Sequence, residues 1–114
     1  MNRNKMQNDK APISYRQGDV LIVKVDNAPT DGVERKEGND IVFMHGEVTG
    51  HAHRIVAPET KARLIDVNAE RYLHALQEVT VTHEEHAPII LREGKYQQAF
   101  QVEEQGDEVR RVAD

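Results

Sequence analysis

The apolar segments of this chain are short, and residues typical of turns separate them at regular intervals. Val20–Val25, Ile41–Met44 and Val79–Thr82 are rich in β-branched and other apolar residues, which is typical of strands. Asp26–Gly32 and Glu37–Asp40 are turn-forming segments between them. No long stretch shows the period of about 3.6 residues that marks an amphipathic helix. The sequence therefore predicts an all-β fold, a small single-domain barrel or sandwich of short, mostly antiparallel strands.

The expected boundaries follow from the same pattern. The chain has 114 residues, which is the size of one domain. Residues 1–14 predict a disordered N-terminal arm, and residues 15–114 predict a single β domain. Val20–Val25 is apolar on both faces and is expected to be a central strand. His51–Ala57 is expected to form a strand, and Arg71–Leu76 either a strand or a helical turn.

The composition argues against several classes of function. The chain contains no cysteine, which excludes disulfides, thiolate metal sites and cysteine nucleophiles. Its net charge of −5 and its aromatic content of 4% argue against a nucleic-acid partner. No apolar run approaches the roughly 18 residues of a membrane-spanning helix, and no secretory signal is recognisable. The cytoplasm is therefore the expected compartment.

Six histidines lie within 42 consecutive positions, and this clustering points to a metal site. Side chains two apart on a strand share a face, so His51 and His53 are expected to point inward together with Ile55. His83 is expected to share the inward face of Val79 and Val81. His86 is out of phase with that strand, and a bend before Pro88 leaves it either turned inward or solvated.

Neutral imidazoles are good ligands for transition metals. His51, His53 and His83 with a water molecule would make an open zinc site, where bound hydroxide attacks a small electrophile in a hydrolysis or a hydration. His86 is then a fourth ligand or a proton shuttle. Four histidine ligands would instead indicate a closed structural site, or a site for iron, nickel or manganese.

Acidic residues near the histidines are candidates for the accompanying chemistry. A carboxylate beside the metal acts as a general base or orients a ligand. The sequence offers three such residues, Glu47, Glu84 and Glu85.

Other interpretations of the histidines remain open. Inward histidines can be core residues that hydrogen-bond to neighbouring carbonyl groups. His45 is expected in a turn and His74 in packing or at the surface. The protein would then be a non-catalytic accessory module that binds a protein partner or forms a homo-oligomer. A metal carrier or sensor with exchangeable metal is a third interpretation.

Two blocks of the sequence resemble a small uncharacterised family of bacterial and phage proteins. The blocks are Gly46–His53 and Thr82–Ile89. Shorter similarities lie at Gln17–Val20, Gly94–Tyr96 and Val112–Asp114. The resemblance implies no activity. It favours the four histidines inside the blocks over His45 and His74, and it adds interest to Glu47, which lies inside the first block.

Overall fold

The computed structural model describes residues 13–99, together with the backbone of Val102–Gln105 and Glu108–Arg111. Residues 1–12 of the predicted N-terminal arm lie outside the described residues. Ser14, the last residue of that predicted arm, is the first residue of strand β1. The described part of the chain forms twelve strands: β1 Ser14–Gln17, β2 Val20–Val25, β3 Val33–Arg35, β4 Ile41–His45, β5 Ala52–Ile55, β6 Ala62–Val67, β7 Glu70–Ala75, β8 Val79–Val81, β9 Ile89–Leu91, β10 Gly94–Ala99, β11 Val102–Gln105 and β12 Glu108–Arg111. Within the same residues, no helix has the length and apolar character needed to cross a membrane.

Six of the strands form one antiparallel sheet in the order β1-β2-β10-β7-β6-β3. The predicted central strand is confirmed, because β2 lies between β1 and β10. Its side chains Val20 and Ile22 are fully buried, whereas Leu21 and Val23 on the other face are partly exposed. The sheet therefore buries one face of β2 more deeply than the other.

Two further antiparallel pairs, β4–β5 and β8–β9, complete the core. Their buried side chains include Phe43, Ile55 and Leu91, which belong to the same core cluster as Leu64 and Tyr96 of the large sheet. The core thus lies between the large sheet and the two pairs, in a sandwich-like arrangement that does not close into a barrel. The predicted all-β fold of antiparallel strands is confirmed.

Some predicted elements have different ends in the structure. The strand expected at His51–Ala57 is limited to Ala52–Ile55. His51 is excluded because its carbonyl accepts the N–H of Gly46 and closes a hairpin loop. Ala57 is excluded because its φ of 44° leaves the extended conformation. The segment predicted at Arg71–Leu76 forms strand β7 as far as Ala75 and contains no helical turn.

A polar contact fixes the large sheet to β4. The guanidinium of Arg71 donates to both carboxylate oxygens of Asp66, at 2.6 and 3.0 Å, and to the carbonyl of Phe43 at 3.0 Å. The side-chain amide of Gln98 donates to the same carbonyl at 3.3 Å. The hydrogen bond from Arg71 holds the pKa of Asp66 below its usual value. These contacts hold β4 against the large sheet.

Candidate metal centre

The hairpin between β4 and β5 carries the first half of the candidate site. The N–H of Gly46 donates to the carbonyl of His51 at 2.8 Å, and the N–H of His51 donates to the carbonyl of Val48 at 3.0 Å. Gly50 has a φ of 88°, a backbone conformation that residues other than glycine rarely adopt. A Cβ at position 46 would lie 3.3 Å from Cβ of His51 and 3.7 Å from Nε2 of His83. Glycine at this position therefore leaves room for the two histidines to approach each other.

The loop between β8 and β9 carries the second half. Arg54 of β5 and Thr82 of this loop exchange two backbone hydrogen bonds, at 3.0 Å from the N–H of Arg54 and 2.8 Å from that of Thr82. The pairing joins the hairpin to the start of the loop. The four residues that follow, His83–His86, therefore lie beside the hairpin.

Four imidazole rings meet at this junction. The ring of His53 is fully buried and stacks on that of His83, with the centroids 4.2 Å apart. The ring centroid of His86 lies 4.7 Å from that of His83, so the loop turns this side chain inward. The ring of His51 meets that of His83 edge-on at 5.8 Å. The four histidines singled out in the sequence thus form one cluster.

Two carboxylates belong to the same junction. Oε1 of Glu84 accepts the backbone N–H of Ala52 at 3.0 Å, and this bond is the main reason why the pKa of Glu84 is lowered. Glu84 is therefore negatively charged at neutral pH. Oε2 of Glu85 lies 3.5 Å from Nδ1 of His51, where a carboxylate can orient the imidazole. The backbone N–H of Glu85 donates to Nδ1 of His83 at 3.0 Å.

Three of these side chains have the spacing that a metal ion requires. One ligand atom from each of His51, His83 and Glu84 lies within 4.8 Å of the others. Two imidazoles and one carboxylate are a donor set known from catalytic zinc sites. His51 and His83 are half-buried and Glu84 is exposed, so the set lies at the surface end of the cluster.

A small cleft of about 40 Å³ opens beside this set. Gly46, Glu47 and Val48 line it from the hairpin, and His83 and Glu85 line it from the loop. The volume is sufficient for one or two water molecules, whereas pockets for drug-sized ligands measure about 300–1,000 Å³. Glu47, singled out in the sequence, therefore lies at the cleft without belonging to the triad of close ligand atoms.

The other two histidines lie elsewhere. His45 is exposed at the end of β4, rather than in the expected turn, and it contacts the carboxylate of Glu37 at 2.9 Å. His74 is buried on β7, and its Nε2 donates to the carbonyl of Pro29 at 2.8 Å. Neither belongs to the cluster.

The sequence-based interpretation missed one residue of the site. Gln17, at the end of β1, has an exposed fraction of only 2% and contacts Nδ1 of His53 at 2.8 Å. Its sole signal in the sequence was its place in one of the shorter segments of family resemblance. Its burial and its contact with a residue 36 positions away are products of the tertiary fold.

Comparisons with known proteins complete the description of the site. No curated protein matched the chain, and no solved structure matched it. A family model did match, over residues 16–101, which covers both histidine blocks and Gln17. That extent supports the resemblance to an uncharacterised family, and it leaves Val112–Asp114 outside the match. The chain belongs to the family described as a domain of unknown function, DUF8820.

Proposed function

We propose that the protein binds one divalent transition-metal ion, zinc in the first place, through His51, His83 and Glu84. The observation that carries this proposal is the spacing of the three ligand atoms, all within 4.8 Å of one another beside a cleft. The proposal replaces His53, expected as a ligand from the sequence, with Glu84. Nickel, iron and manganese accept the same imidazole and carboxylate donors.

The surroundings of the triad support this assignment. The carboxylate of Glu84 is held in its charged form by the N–H of Ala52, which leaves its second oxygen for an ion. Glu85 is close enough to Nδ1 of His51 to orient that ring with Nε2 toward an ion. Carboxylates that fix ligating imidazoles in this way are common around zinc.

Loading the ion requires one local change. The N–H of Glu85 donates to Nδ1 of His83, so the proton of the neutral ring lies on Nε2. A metal ion held by Nε2 of His83 would require that proton on Nδ1 instead, and the N–H of Glu85 would then have to turn away. The backbone amide of Glu85 is therefore expected to report metal binding by a large change in chemical shift.

The size of the cleft restricts the proposed reaction to small substrates. Its volume of about 40 Å³ accommodates an ion with one or two waters. Metal-bound water has a pKa near 7 and supplies hydroxide at neutral pH. Glu47 and Glu85 line the cleft, where a carboxylate can accept a proton from that water. The reaction best supported is the hydration or hydrolysis of a small electrophile.

Metal content of the untagged protein tests the proposal. The protein is purified without chelator, and its metals are measured by inductively coupled plasma mass spectrometry before and after incubation with zinc. We expect close to one equivalent in the wild type and almost none in a His51→Ala, His83→Ala double variant. His45→Ala is the matched control, because His45 is an exposed histidine of the same β4–β5 hairpin outside the cluster.

Two results would contradict the proposal. One is a wild type that retains no zinc, nickel, manganese or iron after incubation; the cluster would then be a packing feature, and a protein-binding module would be the better interpretation. The other is a double variant that retains a full equivalent while remaining folded.

A further inference from the structure

Gln17 is a buried polar side chain that contacts three separate parts of the histidine site. It is the last residue of β1, and 2% of it is exposed. Its Nε2 donates to the carbonyl of Val81 at 3.0 Å and to the carbonyl of Ala87 at 2.9 Å. Its Oε1 lies 2.8 Å from Nδ1 of His53. Every polar atom of the amide is therefore engaged.

These contacts define which way the amide points. Both neighbouring carbonyl groups are acceptors only, so the NH₂ group must face Val81 and Ala87. The oxygen then faces His53, and an amide oxygen can only accept. Nδ1 of His53 must consequently carry the proton, and in the neutral ring Nε2 carries the lone pair.

The two carbonyl groups also have a shared position in the chain. Val81 is the last residue of β8, and Ala87 is two residues before β9. Between them lies the loop with His83, Glu84 and His86. One amide thus binds both ends of the loop that supplies two of the four histidines of the cluster.

We propose that Gln17 is the positioning residue of the histidine cluster. Through one buried amide it holds His53 in the Nδ1–H tautomer and fixes both ends of the loop that carries His83 and Glu84. His53 in turn stacks on His83, the proposed ligand, with the ring centroids 4.2 Å apart. The orientation of the His53 ring therefore limits the positions that the His83 ring can take. The effect on ion affinity rests on the proposed metal function, whereas the tautomer of His53 does not.

The direct test is the tautomer of His53 in metal-free protein. Long-range ¹H–¹⁵N correlation at pH 8 on histidine-labelled protein distinguishes the protonated ring nitrogen from the one with the lone pair. We expect Nδ1–H in the wild type and a mixture with Nε2–H in Gln17→Met, which keeps the side-chain length and loses both hydrogen-bonding functions. Gln98→Met is the matched control, since Gln98 is 3% exposed and binds the carbonyl of Phe43 outside the cluster.

Gln17→Glu separates the two roles of the amide. A carboxylate still accepts from Nδ1 of His53, so the tautomer should stay as in the wild type. The carboxylate has no proton to donate to the carbonyl groups of Val81 and Ala87, so the loop should loosen. The amide of Thr82, which donates to Arg54 at 2.8 Å, should then exchange with solvent faster than in Gln98→Met.

Zinc affinity is the second readout. Gln17 fixes both ends of the loop that carries His83 and Glu84. Loss of such a supporting group around metal ligands commonly lowers metal affinity about 10–100-fold, and we expect that range for Gln17→Met with no change for Gln98→Met. An Nε2–H tautomer in the wild type, or an unchanged tautomer in a folded Gln17→Met, would overturn the role of Gln17. If Gln17→Met fails to fold, two measurements test the proposal instead: the tautomer of His53 in the wild type, and the hydrogen exchange of the Thr82 amide in Gln17→Glu. If the wild type shows the Nδ1–H tautomer but binds no zinc, the role of Gln17 is supported and only the proposed metal function is rejected.

Discussion

The side chain of Glu84 is bound to the backbone of Ala52, with Oε1 3.0 Å from the amide nitrogen. Ala52 is the first residue of β5 and directly follows His51. Glu84 in turn directly follows His83. This hydrogen bond thus links the two residues that directly follow the histidines proposed as ligands.

Replacement of Glu84 by glutamine separates its charge from this hydrogen bond. Glu84→Gln keeps an oxygen that accepts the N–H of Ala52, so the free energy of unfolding without metal should change little. The amide is a poor ligand, so zinc affinity should fall at least about tenfold. Isothermal titration with zinc and denaturant unfolding measure the two effects. Glu78→Gln, an exposed glutamate on the approach to β8, is the control, and equal affinities in both variants would exclude Glu84 as a ligand.

The close approach at Gly46 yields a steric prediction. A Cβ in Gly46→Ala would lie 3.3 Å from Cβ of His51, tighter than most contacts of this kind, and 3.7 Å from Nε2 of His83. His51 must shift, and we expect weaker zinc binding in a protein that remains folded. Val48→Ala changes an exposed side chain of the same loop and should bind zinc as the wild type does. Circular dichroism verifies the fold. Unaltered zinc binding by Gly46→Ala would show that the space beside His51 and His83 is not required for the metal site.

Metal binding should raise thermal stability. A ligand that binds only the folded state at 100 times its Kd adds about 2.7 kcal/mol to the free energy of unfolding. For a domain of this size, that gain corresponds to a rise in Tm of roughly 10 °C. Differential scanning calorimetry with zinc, and again after addition of a chelator, measures the shift. A Tm that zinc leaves unchanged in the wild type would argue against a folded-state site.

The ion pair of Asp66 and Arg71 predicts a change of stability with pH. The pKa of Asp66 in the folded state is below its ordinary value of 3.8, mainly because Arg71 donates to its carboxylate. The contribution of the pair is therefore fully present above the ordinary value, and it is lost as the pH falls through the lower folded-state pKa. Asp66→Asn should reduce the free energy of unfolding by about 1–3 kcal/mol at pH 7.

The difference between wild type and Asp66→Asn should shrink below about pH 4, because protonation then removes the same charge from the wild type. Urea unfolding at several pH values measures this difference. If the difference in unfolding free energy between the two proteins stays constant down to pH 2, the Asp66–Arg71 ion pair does not account for the lowered pKa of Asp66.

Two tyrosines allow a matched test of a buried hydrogen bond. Tyr96 is fully buried, and its hydroxyl donates to the carbonyl of Arg92 at 2.7 Å. Tyr96→Phe keeps the ring in the core and removes this bond, so stability should fall by about 0.5–1.5 kcal/mol. The hydroxyl of Tyr72 donates to the exposed Glu70 at the surface, and Tyr72→Phe should lower the free energy of unfolding less than Tyr96→Phe does. A larger loss in Tyr72→Phe than in Tyr96→Phe would contradict this ranking.

The fold class was predictable because the strand pattern is local. The alternation in Val20–Val25 and the β-branched run at Val79–Thr82 identify strands without any knowledge of their partners. The ends of β5 were not predictable, since the carbonyl of His51 is taken up by the N–H of Gly46. That contact depends on how the hairpin closes, and residue types alone do not specify it.

The candidate site was predictable in its residue types but not in its geometry. The spacing of His51 and His53 was interpreted as one face of a strand, yet His51 lies in the loop before β5. The approach of His83 depends on the pairing of Arg54 with Thr82, residues 28 positions apart. No local pattern encodes such a pairing. The inward position of His86 likewise follows from the bend of the loop before Pro88.

The Arg54–Thr82 pairing has a consequence for the order in which the molecule assembles. His53 and His83 are thirty positions apart, and β6 and β7 between them pair with each other within the large sheet. Contacts across such a separation require the intervening chain to be in place, so the cluster should form late on the folding pathway. An ion bound there would stabilise the finished protein but not its folding transition state. Zinc should therefore slow unfolding strongly and leave the folding rate almost unchanged.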